Sequence, residues 1–392
     1  MAVPETFDFR RLAIPAYAPS LFFGLGEGAI LPVMPLVARD LGASLSVAAG
    51  LVTLIQVGSL LFNVPAAFLS SRFGERKAIV GAALCGVLAA VISAFAPGLV
   101  VFAVGALLLG AAQSVFFLAR QTYLTDAVPI AFRARALSTL GGIMRIGFFG
   151  GPFIGAAAIH FVDLRGAYAV CVVALVVAGL CAMAMPDLVS EARAGHHESV
   201  SAWTILRDHR RVFLTVGMGI VLVAVVRSAR QVVIPLWADE IGMTAAAASL
   251  AYGVSNAVDM LVFYPAGKVM DVWGRRWVTV PSMTLMGLAL LAIPLTSAPL
   301  AFTAVACVLG FANGIGSGMV MTLGADLSPA RGRIQFLGIW RVLSDLGAVG
   351  GPATVAMLTA VWTLGVGVAA CGGVGLAAAL VLWRAAPRST QS

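Results

Sequence analysis

The sequence predicts an all-α membrane protein of twelve transmembrane helices in two pseudo-symmetric six-helix bundles, and three observations carry that expectation. Of 392 residues, 60% are hydrophobic and only 11% are charged. That is too little charge to clothe a soluble surface of this size. Apolar runs of about 20 residues, the length that crosses a bilayer's hydrocarbon core, recur along the chain. Finally, the second half repeats the first at an offset of 200 residues. Gly74 and Arg76 return as Gly274 and Arg276, Ser71 as Asp271, and Gly110 as Gly310. Asp126, Pro129 and Arg133 return as Asp326, Pro329 and Arg333, and Gly151-Pro152 as Gly351-Pro352. Ungapped register over that distance marks an internal repeat.

In chain order, spans are expected at 12–37, 45–70, 78–95, 99–121, 136–160 and 166–185, and again at 211–237, 246–267, 277–296, 299–321, 334–358 and 363–384. Ahead of the first, Pro4, Glu5, Asp8 and Arg10-Arg11 precede an apolar run too long for the core of a signal peptide, so this span is read as retained. The domains expected are a bundle over 1–185, a linker over 186–210 and a second bundle over 211–392. The linker carries Glu191, Arg193, His196, His197 and Glu198, and its His pair reads as solvent-exposed, with no further metal ligands in view.

Basic residues set the topology. Arg72, Arg76, Lys77, Arg133, Arg135, Lys268, Arg275, Arg276, Arg331 and Arg333 flank alternate turns, and Arg10, Arg11, Arg193, Arg207, Arg210, Arg211, Arg384 and Arg388 lie in the linker or near the termini. The opposite turns carry chiefly Arg39, Asp40, Asp163, Arg165, Asp239 and Glu240. The positive-inside rule then puts both termini and the linker in the cytoplasm of a multi-pass inner-membrane protein. It accounts for the net charge of +8 without a nucleic-acid partner. The five cysteines, Cys85, Cys171, Cys181, Cys307 and Cys371, all lie in apolar runs and read as packed small hydrophobes, with neither disulfide nor metal spacing. No cofactor or metal is expected.

Ionisable groups inside spans are the strongest functional signal that the residues give by themselves. Glu27, Arg145, Arg227, Arg230, Asp259, Arg341 and Asp345 fall well within apolar runs, where exposure to lipid costs several kcal/mol, so they must face water or one another. A water-lined path is implied. Glu27 lies among Gly24, Gly26, Gly28, Pro32 and Pro35, in a helix prone to break. It reads either as a substrate or proton site or as one half of an ion pair with an arginine. Arg227 and Arg230 share a helical face and suit either an anion, through paired hydrogen bonds, or neutralisation of Asp259 or Asp345. Arg341 and Asp345 are one turn apart and form an expected local pair. A proton-coupled carrier needs a carboxyl that gains a proton on desolvation and loses it when arginine or water approaches. Glu27, Asp259 and Asp345 qualify by position, with Asp345 ranked last because Arg341 is already beside it. Gln56, Asn63, Gln113 and Asn313 are further lining candidates, or amide cross-braces. Phe116, Phe117, Phe148 and Phe149 suit an apolar wall or ordinary packing. Arg120, near the end of the fourth span, reads as a snorkelling cation or as a latch contact with Asp126 or the turn at Ser71–Lys77.

The turn Gly267-Lys-Val-Met-Asp271-Val-Trp-Gly274-Arg275-Arg276 resembles the signature loop between the second and third helices of each half in the major facilitator superfamily, a family of secondary transporters. Ala67 to Lys77 resembles the same loop in the first half, but Ala67 stands where the family has glycine, Ser71 where it has aspartate and Glu75 where a basic residue is common. The resemblance implies a conformational latch built from Ser71, Arg72, Gly74, Arg76, Asp271, Gly274, Arg275 and Arg276, differently wired in the first half. Gly147, Gly151, Pro152 and Gly155 resemble the fifth-helix motif of the family's proton-driven exporters, and Gly347, Gly351 and Pro352 repeat much of it. Without the resemblance these residues read as a seam for close helix packing. The arginine of the family's fourth-helix motif falls at Ala106, so its proton-coupling role does not carry over.

The resemblance implies two bundles that alternate access to a site near mid-membrane. Proton-coupled export of an organic or amphipathic solute is the expected function. Proton-coupled uptake of an organic anion, transport of lipid or lysolipid, and a non-transporting receptor or scaffold are the alternatives. The expected partners are a small organic solute, protons and membrane lipid, acting on a monomer. No nucleotide loop or nucleophile-base-acid set suggests an enzyme.

Overall fold

Hydrocarbon offers no partner for a backbone polar group, so a spanning segment must satisfy its own, and long apolar helices do so. The computed structural model describes residues 17–128, 130–186, 201–329 and 331–385. Among these, twelve helical spans are long and apolar enough to cross a membrane. Arg10, Arg11, Pro129, Glu191, Arg193, His196, His197, Glu198 and Arg388 lie outside the described residues, as do the side chains of Arg133, Arg135 and Asp271.

The first six spans comprise α1 (Ala18–Ile30) with α2 (Met34–Asp40), then α3 (Leu45–Phe73), α4 (Glu75–Ala94), α5 (Leu99–Ala127), α6 (Ile130–Val162) and α7 (Arg165–Met183). After the short α8 (Ala202–Asp208) come α9 (Met218–Glu240), α10 (Ala245–Trp273), α11 (Arg276–Ala292), α12 (Pro299–Ile315) with α13 (Met319–Leu327), α14 (Arg333–Val361) and α15 (Leu364–Ala385). A π-helical turn, Phe213–Gly217, leads into α9. The repeat is visible in these bounds, since α3 and α10 begin and end 200 residues apart. Their starts match too, with the Ser44 hydroxyl accepting from the Val47 amide and the Thr244 hydroxyl from that of Ala247, each at 3.3 Å.

The halves differ where their sequences do. Pro32, which has no N–H to donate, falls in the break between α1 and α2, whereas Val232 at the matching place leaves α9 continuous. In the tenth span the expected unbroken helix is interrupted. Gly316-Ser317-Gly318 parts α12 from α13, with Gly318 in the left-handed region at φ 85°. The matching residues Phe116-Phe117-Leu118 let α5 run through.

The chain divides into two compact units, Met1–Val33 with Leu54–Gly195, and Met34–Thr53 with His196–Ser392. In the first, α1 packs on α6 and α7, and α4 on α5 and α7. In the second, α9 packs on α14 and α15, and α11 on α12 and α15, which is the same plan. Glycine makes the principal seams possible. A Cβ on Gly151 would lie 2.6 Å from the Ala29 nitrogen and one on Gly147 2.7 Å from that of Leu25, so α6 presses directly on the α1 backbone. Gly155 continues the seam against the Ala29 carbonyl. In the second unit Gly351 and Gly347 bring α14 onto α9 at Ala229 and Ala224, with Pro352 inside α14 as Pro152 is inside α6.

Candidate functional site

Each unit holds a polar cluster within its apolar spans. In the first unit it is built by α1 and α5. Glu27 faces the interior from the last turn of α1, with 6% of its surface exposed, and its Oε2 accepts from Gln113 Nε2 at 3.4 Å. One and two turns further along α5 come Phe116, Phe117 and Arg120, on the face that carries Gln113. Phe116 stacks on Phe23 of α1 at 3.9 Å between ring centroids, and Phe117 meets both rings edge-on. The Arg120 guanidinium lies 4.6 Å from the Phe117 centroid, a cation-π distance. The arrangement is therefore a buried carboxyl with an amide donor, and along the same face of α5 a cluster of aromatic rings and a guanidinium.

The cluster of the second unit is denser. Arg227 Nε donates to Asn313 Oδ1 at 2.8 Å, and its Nη2 to the Asn313 main-chain oxygen at 3.3 Å. Asn313 Nδ2 in turn donates to Asp259 Oδ2 at 2.5 Å. That same oxygen accepts from Arg230 Nη1 at 3.2 Å, in an ion pair whose side chains are only 6% and 15% exposed. Arg230 Nη2 donates to Asn256, and the guanidinium lies 5.9 Å from the Tyr252 ring centroid. One guanidinium thus meets the carboxylate directly, and the other reaches it through the Asn313 amide.

The two clusters correspond through the repeat. Glu27 and Gln113 match Arg227 and Asn313, and in both units the charged group of the first helix bonds the amide of the fourth. The sign is inverted. An amide both donates and accepts, so the same partner type serves a carboxylate in one unit and a guanidinium in the other.

The remaining candidates are placed as follows. Arg341 and Asp345 pair at 3.8 Å along α14, so Asp345 stands beside Arg341, while Arg230 goes to Asp259. Asn63 accepts from the Ser114 hydroxyl at 2.8 Å, bracing α3 to α5. Gln56 on α3 and Arg145 on α6 are half-buried. Asn256 and Tyr252 escaped the sequence reading, although with Asp259 they follow the one-face spacing of a helix.

At the signature turns, Gly74 and Gly274 take φ 87° and 94°, where a side chain would be strained. Arg275 Nε donates to Asp326 Oδ2 at 2.8 Å and its Nη1 to the Met270 oxygen at 3.2 Å, tying the turn to the end of α13. Glu75 stands where the repeat has Arg275, so the matching pair with Asp126, which is exposed, has two acids and cannot form. Instead Arg76 Nη1 donates to the Met185 oxygen at 3.2 Å, Arg72 lies 5.8 Å from the rings of Phe68 and Phe73, and the exposed Ser71 donates to the Phe68 oxygen. Arg276 stacks on Trp383 at 3.6 Å. Among the described residues no group of three His, Cys, Asp or Glu is placed to hold a metal ion.

Known proteins resemble this chain. Multidrug resistance protein MdtM of Escherichia coli is 28% identical over 193 residues, 48% of this chain and 45% of that protein. MdtM of Salmonella typhimurium is 29% identical over 181 residues, 45% and 42% of the two chains. The matched stretch spans under half of either relative. Among solved structures, a D-xylose-proton symporter superposes with a TM-score of 0.74 at 15% identity, covering 97% of this chain and 98% of that one. The nucleoside transporter NupG gives 0.75 at 11% identity, covering 95% and 98%. At such identities these two likenesses show the fold alone. The family model of the Major Facilitator Superfamily matches residues 20–229 and 216–392, almost the whole described chain, and the chain belongs to that superfamily.

Proposed function

We propose that the protein is a proton-coupled secondary transporter that exports an organic or amphipathic solute by alternating access. The observation that carries the reading is Glu27, a carboxyl almost wholly buried in a spanning helix, held by the neutral amide of Gln113 and one helical turn from Phe23, whose ring packs on Phe116 and Phe117. Such a carboxyl exists protonated or charged, and the difference between the two forms is one proton. The aromatic cluster suits an apolar solute body. The partial likeness to MdtM, a protein named for multidrug resistance, supports the export direction. In the cycle we infer, solute arriving from the cytoplasm displaces the proton from Glu27, Arg120 stabilises the bared carboxylate, and reprotonation follows release outside.

A specific observation favours a second reading. The cluster of Arg227, Arg230 and Asp259 carries one more guanidinium than carboxylate, which suits an organic anion taken up with protons.

The deciding experiment loads proteoliposomes with a pH dye and imposes an external step of each compound from a panel of lipophilic drugs and organic anions, with ion leak controlled. Export by exchange alkalinises the interior as solute enters, and the sign holds for either orientation of the protein. Acidification on entry would establish cotransport and discard the exporter. Glu27→Gln should abolish the proton signal while folded protein remains in the membrane, and a fully retained signal would remove Glu27 from the mechanism.

A further inference from the structure

Within the first unit, α3, α4 and α5 enclose a cavity of about 330 Å³ that no polar network enters. Its size falls within the roughly 300–1,000 Å³ usual for small-molecule sites. Phe62 and Phe73, 40% and 52% exposed, flank it, while Val115 and Cys85 form its inner wall. Beside the ammonium of Lys77, the Cys85 thiol is the polar side-chain group on the lining, and it already donates to the Leu108 oxygen at 3.8 Å. Lys77 is exposed in the first turn of α4, and the exposed Arg72 stands 5.8 Å from the Phe73 ring. The cavity is therefore an apolar slot with cations at one end.

We propose that this slot is a binding site for an anionic phospholipid, one acyl chain lying between α3, α4 and α5 and the phosphate paired with Lys77. A drug-like solute needs several converging polar groups to orient it, which this wall does not supply. A fatty chain needs none, and one anion at its end answers the lysine. The slot opens beside Phe62 and Phe73, aromatic residues exposed on a spanning helix. Basic residues at the end of a span attract the anionic lipids of the adjoining leaflet. The repeat does not carry the feature across, because Lys77, Gly81 and Cys85 are matched by Trp277, Pro281 and Leu285. The slot is thus a property of the first unit's own sequence.

Gly81 supplies the test. It lines the cavity, and a Cβ there would meet nothing within 4 Å, so Gly81→Leu fills the slot without displacing backbone. The purified full chain in neutral detergent is titrated with phosphatidylglycerol, with phosphatidylcholine of the same chains, or with palmitate. Retained lipid is read by native mass spectrometry. In a variant keeping Cys85 as its single cysteine, protection from a membrane-permeant maleimide is read in parallel. Phosphatidylglycerol should be retained and should slow Cys85 labelling more than phosphatidylcholine. Lys77→Gln should weaken its binding about fivefold, the scale of one basic residue at an anionic surface. Gly81→Leu should remove both the retained lipid and the lipid-dependent protection. Equal binding of phosphatidylcholine, or binding indifferent to Lys77→Gln, would overturn the headgroup assignment. Palmitate binding with the same dependence on Lys77 would assign the slot to free fatty acid. Protection by a drug from the transport panel with none by lipid would make it a solute pocket.

Discussion

Replacing Arg230 tests whether the charge cluster of the second unit is a structural unit in its own right. In the native chain the guanidinium bridges Asp259 and Asn256, and the pair is almost fully buried. Arg230→Leu removes the buried ion pair between Arg230 and Asp259. Breaking a buried pair from one side costs about 3–5 kcal/mol. Asn313 still donates to Asp259, which puts the expected loss near the lower end, about 3 kcal/mol. Asp259→Leu should cost a similar amount, since Asn256 remains an acceptor for the stranded guanidinium. The double variant removes both charges along with their desolvation penalty, and it should lie within about 1 kcal/mol of the parent. The cycle therefore closes with an interaction energy of about 5 kcal/mol or more in magnitude. Arg230→Lys should recover only part of the loss, because an ammonium cannot reproduce the planar fork that reaches two acceptors. The measurement is unfolding in mixed micelles of increasing SDS content, followed by tryptophan fluorescence. Additive single effects, or singles within about 1 kcal/mol of the parent, would refute the claim that the pair is desolvated and coupled.

The other perturbations act on the scaffold. Gly151→Val drives a side chain into the α1 backbone and should cost at least the roughly 1–3 kcal/mol of an overpacked core, while also displacing Glu27 and slowing transport. Gly150→Val, whose Cβ meets nothing within 4 Å, is the control in the same unfolding and transport assays and should leave both near the parent value. Arg275→Gln should change the transport rate at least as much as Asp326→Asn, since both break their shared contact and Arg275 also loses Met270, and the double variant should match Arg275→Gln. Asp126→Asn should do little, because Glu75 already denies it the matching pair. Arg39 donates to Asp239 at 3.2 Å with side chains 39% and 35% exposed. Arg39→Ala should therefore cost less than about 1 kcal/mol in unfolding, an effect that fades as salt is raised.

What was legible in the sequence follows from how local its cause is. A span is a length of apolar chain, and the twelve could be read off because hydrocarbon thickness sets that length. The break at Pro32 was legible because a missing N–H is a property of one residue. The break at Gly316–Gly318 was spelled by its glycines, yet the apolar-run criterion passed over them, since glycine barely alters hydropathy. Arg120 was read as standing at a helix end because the fourth span was closed at residue 121. The helix in fact continues to Ala127, and its turns carry Arg120 round to the face of Gln113. Asn256 and Tyr252 were invisible for a related reason: a single amide or phenol in an apolar run becomes a site only through what another helix brings to it. Arg230 does so here. That Glu27 and Arg227 are matched by the repeat was legible. That each bonds a fourth-helix amide was not, because the pairing joins residues 86 positions apart.

The sign inversion bears on what the two halves of the repeat can do. It recurs at four matched places, Glu27 with Arg227, Arg39 with Asp239, Glu75 with Arg275, and Arg145 with Asp345. A duplicated bundle that kept its charges would offer the same chemistry twice. With the signs reversed, the first unit presents a carboxyl able to hold a proton or a cationic solute, and the second presents guanidiniums able to hold an anion. The Gln113 and Asn313 amides make the reversal inexpensive, because either end of an amide can face the partner, and no repacking of the fourth helix is needed when the first-helix charge changes. The polar wiring of the bundle can therefore persist while its electrostatic task changes. On that reasoning, the Glu27 contact with Gln113 and the Arg227 contact with Asn313 are separate polar links, and a variant that loses one should keep the other.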